Sequence, residues 1–297
     1  MAELTAGEDE AAPVAPAARK RPPRRRDKVG ADAVAAILAQ LPKPVPSGLA
    51  KTSFRLALFA VVVTVLALLV VRSGRIEPQA SFSALGAGLL VALAAVLIGA
   101  AALVEIWRRG TYGAERAFAG ILIGLALLAM PAWYGLLAVA RPAINDITTD
   151  SEDPPRFDAA VARRRPGDNP TAYPGPAFAE QQAGAYPYVV PLRLAAAPEE
   201  VQAAALQLAA ELGWRILDRG ALPRGGGMTG RIEMMTRTPV LGFADDIVVR
   251  VRPDGTGSRV DMRSASRVGK HDLGRNAERI REFLRALPAV VTKGPGR

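Results

Sequence analysis

Cysteine is absent from the 297 residues, which excludes disulfides, thiolate metal ligands and cysteine nucleophiles, and fits an oxidising compartment. Histidine occurs once, at His271, with no second ligand or carboxylate at a telling spacing, so neither a metal set nor a catalytic triad is expected. Gly225, Gly226 and Gly227 are followed by no Lys-Ser or Lys-Thr pair, so they read as a hairpin connection and not as a phosphate loop. Asp146, Asp150, Glu152 and Asp153 lack calcium-loop spacing and read as turn and capping groups. No cofactor and no metal are expected.

Long apolar runs, by contrast, dominate the middle of the chain. Phe54 to Val71, Phe82 to Val104 and Ala117 to Ala140 are nearly free of internal charge, and about 20 apolar residues are what a helix needs to cross a hydrocarbon core. A buried helix of a soluble protein would carry a polar stripe instead. The expectation is three transmembrane helices over residues 54–140, with the small-residue spacing of Gly120 and Gly124 on a packing face. Glu105, followed by Arg108 and Arg109, reads as an ion pair near the interface. Trp107, Tyr112, Trp133 and Tyr134 read as interfacial anchors.

Arg and Lys set the orientation. The tail before the first run holds Arg19, Lys20, Arg21, Arg24, Arg25, Arg26, Lys28, Lys43 and Lys51, and the second loop holds Arg108, Arg109 and Arg116. The first loop has only Arg72 and Arg75, and the stretch after the third run only Arg141 and Arg156. The expected topology is a multi-pass protein of the bacterial inner (cell) membrane with a cytoplasmic N-terminus and a periplasmic C-terminal domain. The net charge of +10 raises the question of nucleic acid. The basic block is broken by prolines and has no interleaved aromatics, so membrane lipids are its expected partner and nucleic acid is not.

The chain divides into a largely disordered cytoplasmic tail over 1–53, the three-helix region over 54–140, a Pro-rich linker over 141–187 able to wrap the neighbouring domain, and that α+β domain over 188–290. Within the tail, Val34, Ile37, Leu38 and Leu41 predict a short amphipathic helix. In the domain the pattern is strand, helix, four strands, helix. Pro198 with Glu199 and Glu200 opens the first helix, and Gly213 closes it. Strands are expected from Tyr188 to Leu194, Trp214 to Asp218, Met228 to Thr236, Phe243 to Arg252 and Ser258 to Ser266. Phe243, Asp245, Ile247, Val249 and Val251 share one side, and a turn lies at Pro253 to Gly257. The last helix runs from about Leu273, burying Ala277, Ile280, Phe283, Leu284 and Leu287. Short connections favour two helices on one face of a mostly antiparallel sheet.

Several segments carry a resemblance: Asn145 to Asp150 with Asp153-Pro154-Pro155, Gly242 to Arg250, Asp261 to Gly269, and Asp272 to Ala277 with Arg279-Ile280-Arg281. In this order they resemble the bacterial domain-of-unknown-function 1499 family over roughly the C-terminal half. The resemblance implies a domain and an envelope setting, with no reaction and no catalytic residues.

The polar residues of the domain admit two readings. Pairing across the turn sets Asp246 near Arg263 and Arg250 near Asp261 as a row of ion pairs on one polar sheet face. Alternatively, Arg263, Ser266, Arg267 and Asn276 offer an anionic group, such as a lipid phosphate or glycan carboxylate, guanidinium and helix N-terminal donors. The functional expectation is non-enzymatic: a periplasmic domain binding an envelope component, glycan or envelope protein. The alternatives are an enzyme acting on a lipid or cell-wall substrate around Asp245, Asp246 and Arg263, and an accessory subunit of a membrane transporter.

Overall fold

A computed structural model describes residues 25–40, 45–74, 78–220 and 230–294. The tail before residue 25, Leu41, Arg75, the Gly225 to Gly227 run and Met228 lie outside the described residues. Two units result, residues 1–45 and 46–297. In the first, helix α1 (Arg25–Gln40) includes the expected amphipathic stretch and leaves Val34, Ile37 and Leu38 exposed.

The second unit begins with three long helices, α2 (Gly48–Ser73), α3 (Pro78–Arg109) and α4 (Ala114–Ala140). All three contain stretches long and apolar enough to cross a membrane. Their mutual contacts are built from small residues, as expected where helices associate by close packing and not by hydrophobic collapse. Ala57, Ala60, Ala92, Ala95, Ala117, Gly120 and Gly124 are buried, while Phe59, Leu66, Leu90, Leu97 and Leu122 are exposed. Ser53 Oγ donates to Ala95 O at 2.8 Å across the bundle. At the N-terminal end of α2, Ser47 Oγ accepts from Ala50 N at 3.1 Å and donates to Glu105 Oε2 at 2.7 Å. Glu105 also faces Arg109 at 3.5 Å, so the expected ion pair is present and the carboxylate additionally anchors a helix cap.

Beyond Ala140 the chain forms an antiparallel sheet of β1 (Asp146–Thr148), β2 (Leu192–Leu194), β3 (Arg215–Asp218), β4 (Gly230–Arg237), β5 (Ala244–Asp254) and β6 (Gly257–Ser266). Its order is β1-β6-β5-β4-β3, with β2 also pairing β6. The β5–β6 hairpin closes at Asp254↔Gly257, where Gly255 takes a left-handed φ of 59° that suits a tight turn. Helices α6 (Pro198–Glu211) and α7 (Arg275–Lys293) cover one face, as the sequence pattern implies. There Val201, Ala205 and Leu208 meet Ile247, Val249, Met262, Ile280 and Leu287 in one core, and Trp214 stacks on Phe283 with centroids 5.2 Å apart.

The stretch expected as a linker is built into this domain. It supplies β1, helix α5 (Pro176–Ala185) and a short 3-10 turn at Val161–Arg163. Gln182 of α5 completes the free edge of β1, accepting from Thr148 N at 2.9 Å and donating to Thr148 O at 2.7 Å. Phe157 and Ala160 pack on Val248 and Ala265, covering the sheet face opposite the helices. These segments carry no apolar period because β1 has only three residues, and most of the rest is tied to the sheet by side-chain bonds and isolated backbone bonds. The expected strand from Tyr188 shortens to Leu192–Leu194. Phe243 also departs from expectation: it precedes β5 and its ring meets Phe82 of α3, centroids 5.4 Å apart, instead of entering the core.

Candidate functional site

Alternation along β5 and β6 sends Ile247, Val249, Met262, Ser264 and Ser266 to the helix face, and Asp246, Val248, Arg250, Asp261, Arg263 and Arg267 to the other. The four residues expected to offer an anion site are therefore split. Ser266 and Asn276 meet on the helix face, Asn276 Nδ2 donating to Ser266 Oγ at 3.0 Å while its Oδ1 accepts from Ser264 Oγ at 2.8 Å. Asp272 accepts from Gly274 N at 2.7 Å and Asn276 N at 2.9 Å, so the donors at the start of α7 are already taken. Asp245 lies on this side too, with Arg279 Nη2 2.6 Å away.

On the opposite face Arg263 is almost fully enclosed. Its Nε and Nη2 donate to the two carboxylate oxygens of Asp146 at 2.8 and 2.6 Å, and Nη1 and Nη2 reach Pro155 O and Thr171 O at 3.1 and 2.9 Å. The rings of Phe157 and Tyr173 lie 4.7 and 5.5 Å from its guanidinium carbon. Burial pushes the Asp146 carboxyl above its ordinary value, and the two Arg263 bonds offset this only in part. Burial, with the Asp146 charge beside it, pushes the Tyr173 hydroxyl up to about 12.

The expected Asp246–Arg263 pair does not form. Asp246 stands opposite Ala265, and Arg263 opposite Val248, so the two are a diagonal step apart. Asp246 instead takes Arg267, whose Nη2 donates at 2.6 Å. Arg164 adds a second guanidinium 2.8 Å away, off hydrogen-bonding alignment, and burial lowers its own pKa. The Arg250–Asp261 pair does form, at 3.2 Å, within a larger cluster. Arg252 and Arg259 also hold Asp261, at 2.7 and 2.9 Å, and the same three arginines reach Asp150 at 2.9 to 3.1 Å. Nearby, Glu233 accepts from Asp158 N at 2.8 Å and Ala160 N at 3.0 Å, fixing the covering loop.

Asp146, Asp150 and Asp153 thus act as arginine partners brought from the preceding segment; Asp150 Oδ1 also accepts from Asp153 N at 3.0 Å, the expected turn role. Among the described residues no group of three His, Asp or Glu side chains is placed to hold a metal ion. Asp245, Asp246 and Arg263 do not converge, since the first faces α7 and the others the covering loop. The sequence pattern alone missed Asp146 as the Arg263 partner, Glu233 and Gln182. Three aspartates ahead of a sheet rich in arginine were the available signal.

A second feature lies where the domain meets the helix ends. The guanidinium of Arg72 bonds Pro239 O, that of Arg165 bonds Gly74 O, and that of Arg141 bonds Leu273 O. His271 Nε2 stands 3.1 Å from Ala138 O and 3.0 Å from Arg141 O, while Nδ1 accepts from Leu273 N at 3.0 Å. The single histidine thus joins α4 to the loop before α7.

Three long apolar helices carrying an arginine-braced α+β domain define the class. Residues 146–287 match the family model described as "Protein of unknown function (DUF1499)", which shows the resemblance over the C-terminal part. Neither the curated proteins nor the solved structures yield a match.

Proposed function

We propose that this chain is a multi-pass protein of the bacterial inner membrane, with its N-terminus in the cytoplasm and its α+β domain in the periplasm. On this reading the domain binds an envelope component or an envelope protein without turning it over. The Arg and Lys distribution supports the orientation, since basic residues are concentrated ahead of the first apolar run and in the second loop and are few in the first loop and just after the third run.

One observation carries the non-catalytic reading: the charged groups of the sheet face hold one another. Arg263 is closed around Asp146, Arg267 around Asp246, and Asp261 is surrounded by three arginines. A catalytic acid or base must reach a reacting atom within hydrogen-bond range, and these oxygens are already satisfied inside the fold.

The test is incubation of the full chain in detergent with envelope lipids and glycans, reading both thermal shift and product. Stabilisation by one class without turnover supports the proposal. Product formation that disappears in Asp246→Ala would replace it with the enzyme reading.

A further inference from the structure

The arginines of the sheet face and the cations at the base of the domain have opposite circumstances. On the sheet face Arg250, Arg252, Arg259, Arg263 and Arg267 each hold a carboxylate. At the base, Arg72, Arg141, Arg165, Arg237, Lys270 and Arg275 are exposed. Among the described residues none of these six forms an ion pair.

The acids within reach of the base are committed elsewhere. Asp272 is buried and caps α7, and Asp168 accepts from Arg165 N at 3.0 Å. The loops that carry these cations are stitched into one surface. Asn169 Nδ2 donates to Ser266 O at 2.9 Å and Gly269 O at 2.8 Å, Arg267 N donates to Ala244 O at 3.0 Å, and Arg237 Nη1 donates to Gly242 O at 2.8 Å.

That surface sits at the ends of the long helices, as the Arg72, Arg165, Arg141 and His271 contacts show. A helix of 26 residues, α2, extends about 39 Å at 1.5 Å per residue, more than the roughly 30 Å hydrocarbon core, so its ends reach the headgroup layer. A guanidinium suits phosphate oxygens in geometry as well as charge. We propose that the base of the domain is a docking surface for the phosphates of anionic lipids in the leaflet on which it rests. This deepens the functional reading above and rests on its assignment of the helices as spans. It does not disturb the orientation argument, because only Arg72 and Arg141 lie close to a span in sequence, and distant charges in a large domain count little.

The test is hydrogen exchange on the full chain in phosphatidylcholine nanodiscs with and without phosphatidylglycerol. Anionic lipid should slow exchange over 266–275 and 237–243 while leaving α6 unchanged, and added salt should erase the effect. Lys270→Gln and Arg275→Gln, neither of which removes an ion pair, should weaken the lipid response by about fivefold per charge. Sheet amides in the same experiment report whether either variant has unfolded. Identical exchange in both discs overturns the proposal. So does reproduction of the effect by free glycerol phosphate in phosphatidylcholine discs, which would make the ligand a soluble anion. A chain that fails to enter discs at all would instead refute the spans.

Discussion

Arg263 and Asp146 meet through two hydrogen bonds of 2.8 and 2.6 Å although 117 residues separate them in the chain. The pair joins the centre of the sheet to the first strand after the helices. It also shows why the preceding segment cannot be a passive tether: the buried guanidinium depends on a carboxylate delivered by that segment.

Asp146→Ala should therefore unfold the domain more readily than any surface change, at a cost of about 3 to 5 kcal/mol, because a buried charge is left without its partner. Replacing both residues by Asp146→Leu with Arg263→Met should recover much of the loss. Denaturant melts of the two variants check this, and a single variant as stable as wild type would contradict it.

The Asp150 cluster gives a pH signature. Burial alone raises the Asp150 carboxyl, but the Asp153 amide and Arg252, Arg259 and Arg250 outweigh it and set the folded value below the ordinary 3.8. Stability from such a group is complete above its unfolded value and is lost as pH falls through the folded one. The deficit of Asp150→Asn relative to wild type should thus be constant from neutral pH downward and close only below 3.8. Asp272, pushed upward by burial, titrates in both proteins and drops out of the difference. A deficit that already closes at mildly acid pH would mean the arginines are not holding Asp150.

Phe243→Ala should leave the sheet intact and weaken only the seating of the domain, by about 0.5 to 1.5 kcal/mol for the lost aromatic pair. Since the chain has no cysteine, Phe82→Cys with Phe243→Cys creates one unambiguous cross-linking pair. A short bifunctional thiol reagent should join the two sites in high yield, and failure to link would place the domain elsewhere.

Gly124→Ala tests the helix packing. A Cβ there would stand 2.6 Å from Val96 Cγ2 and 2.9 Å from Ala92 O, so α3 and α4 must separate. Overpacking of this kind costs about 1 to 3 kcal/mol; Gly135→Ala, with open space around it, is the control. Equal resistance of the two variants to detergent unfolding would argue against the close contact.

Much of this was legible in the sequence. The three apolar runs, the Pro198 and Gly213 boundaries, the β5–β6 turn and the buried stripe of α7 follow from periodicity and capping, because each is a local property. The contribution of residues 146–187 was not, since a three-residue strand and a proline-rich cover leave no period to read. Ion-pair partners were half visible. Alternation put Asp246, Arg250, Asp261 and Arg263 on one face correctly, but which arginine meets which aspartate depends on a two-residue diagonal and on carboxylates arriving from outside the hairpin. The four residues expected around an anion are divided for a related reason: Arg263 and Ser266 are three residues apart, and odd spacing in a strand separates faces.

The proposed periplasmic placement of the α+β domain is tested most directly by paired reporters fused after Arg297. Alkaline phosphatase there should be active and a fluorescent protein that matures only in the cytosol should stay dark. A bright fluorescent fusion with an inactive phosphatase would put the domain in the cytoplasm and remove the periplasmic role.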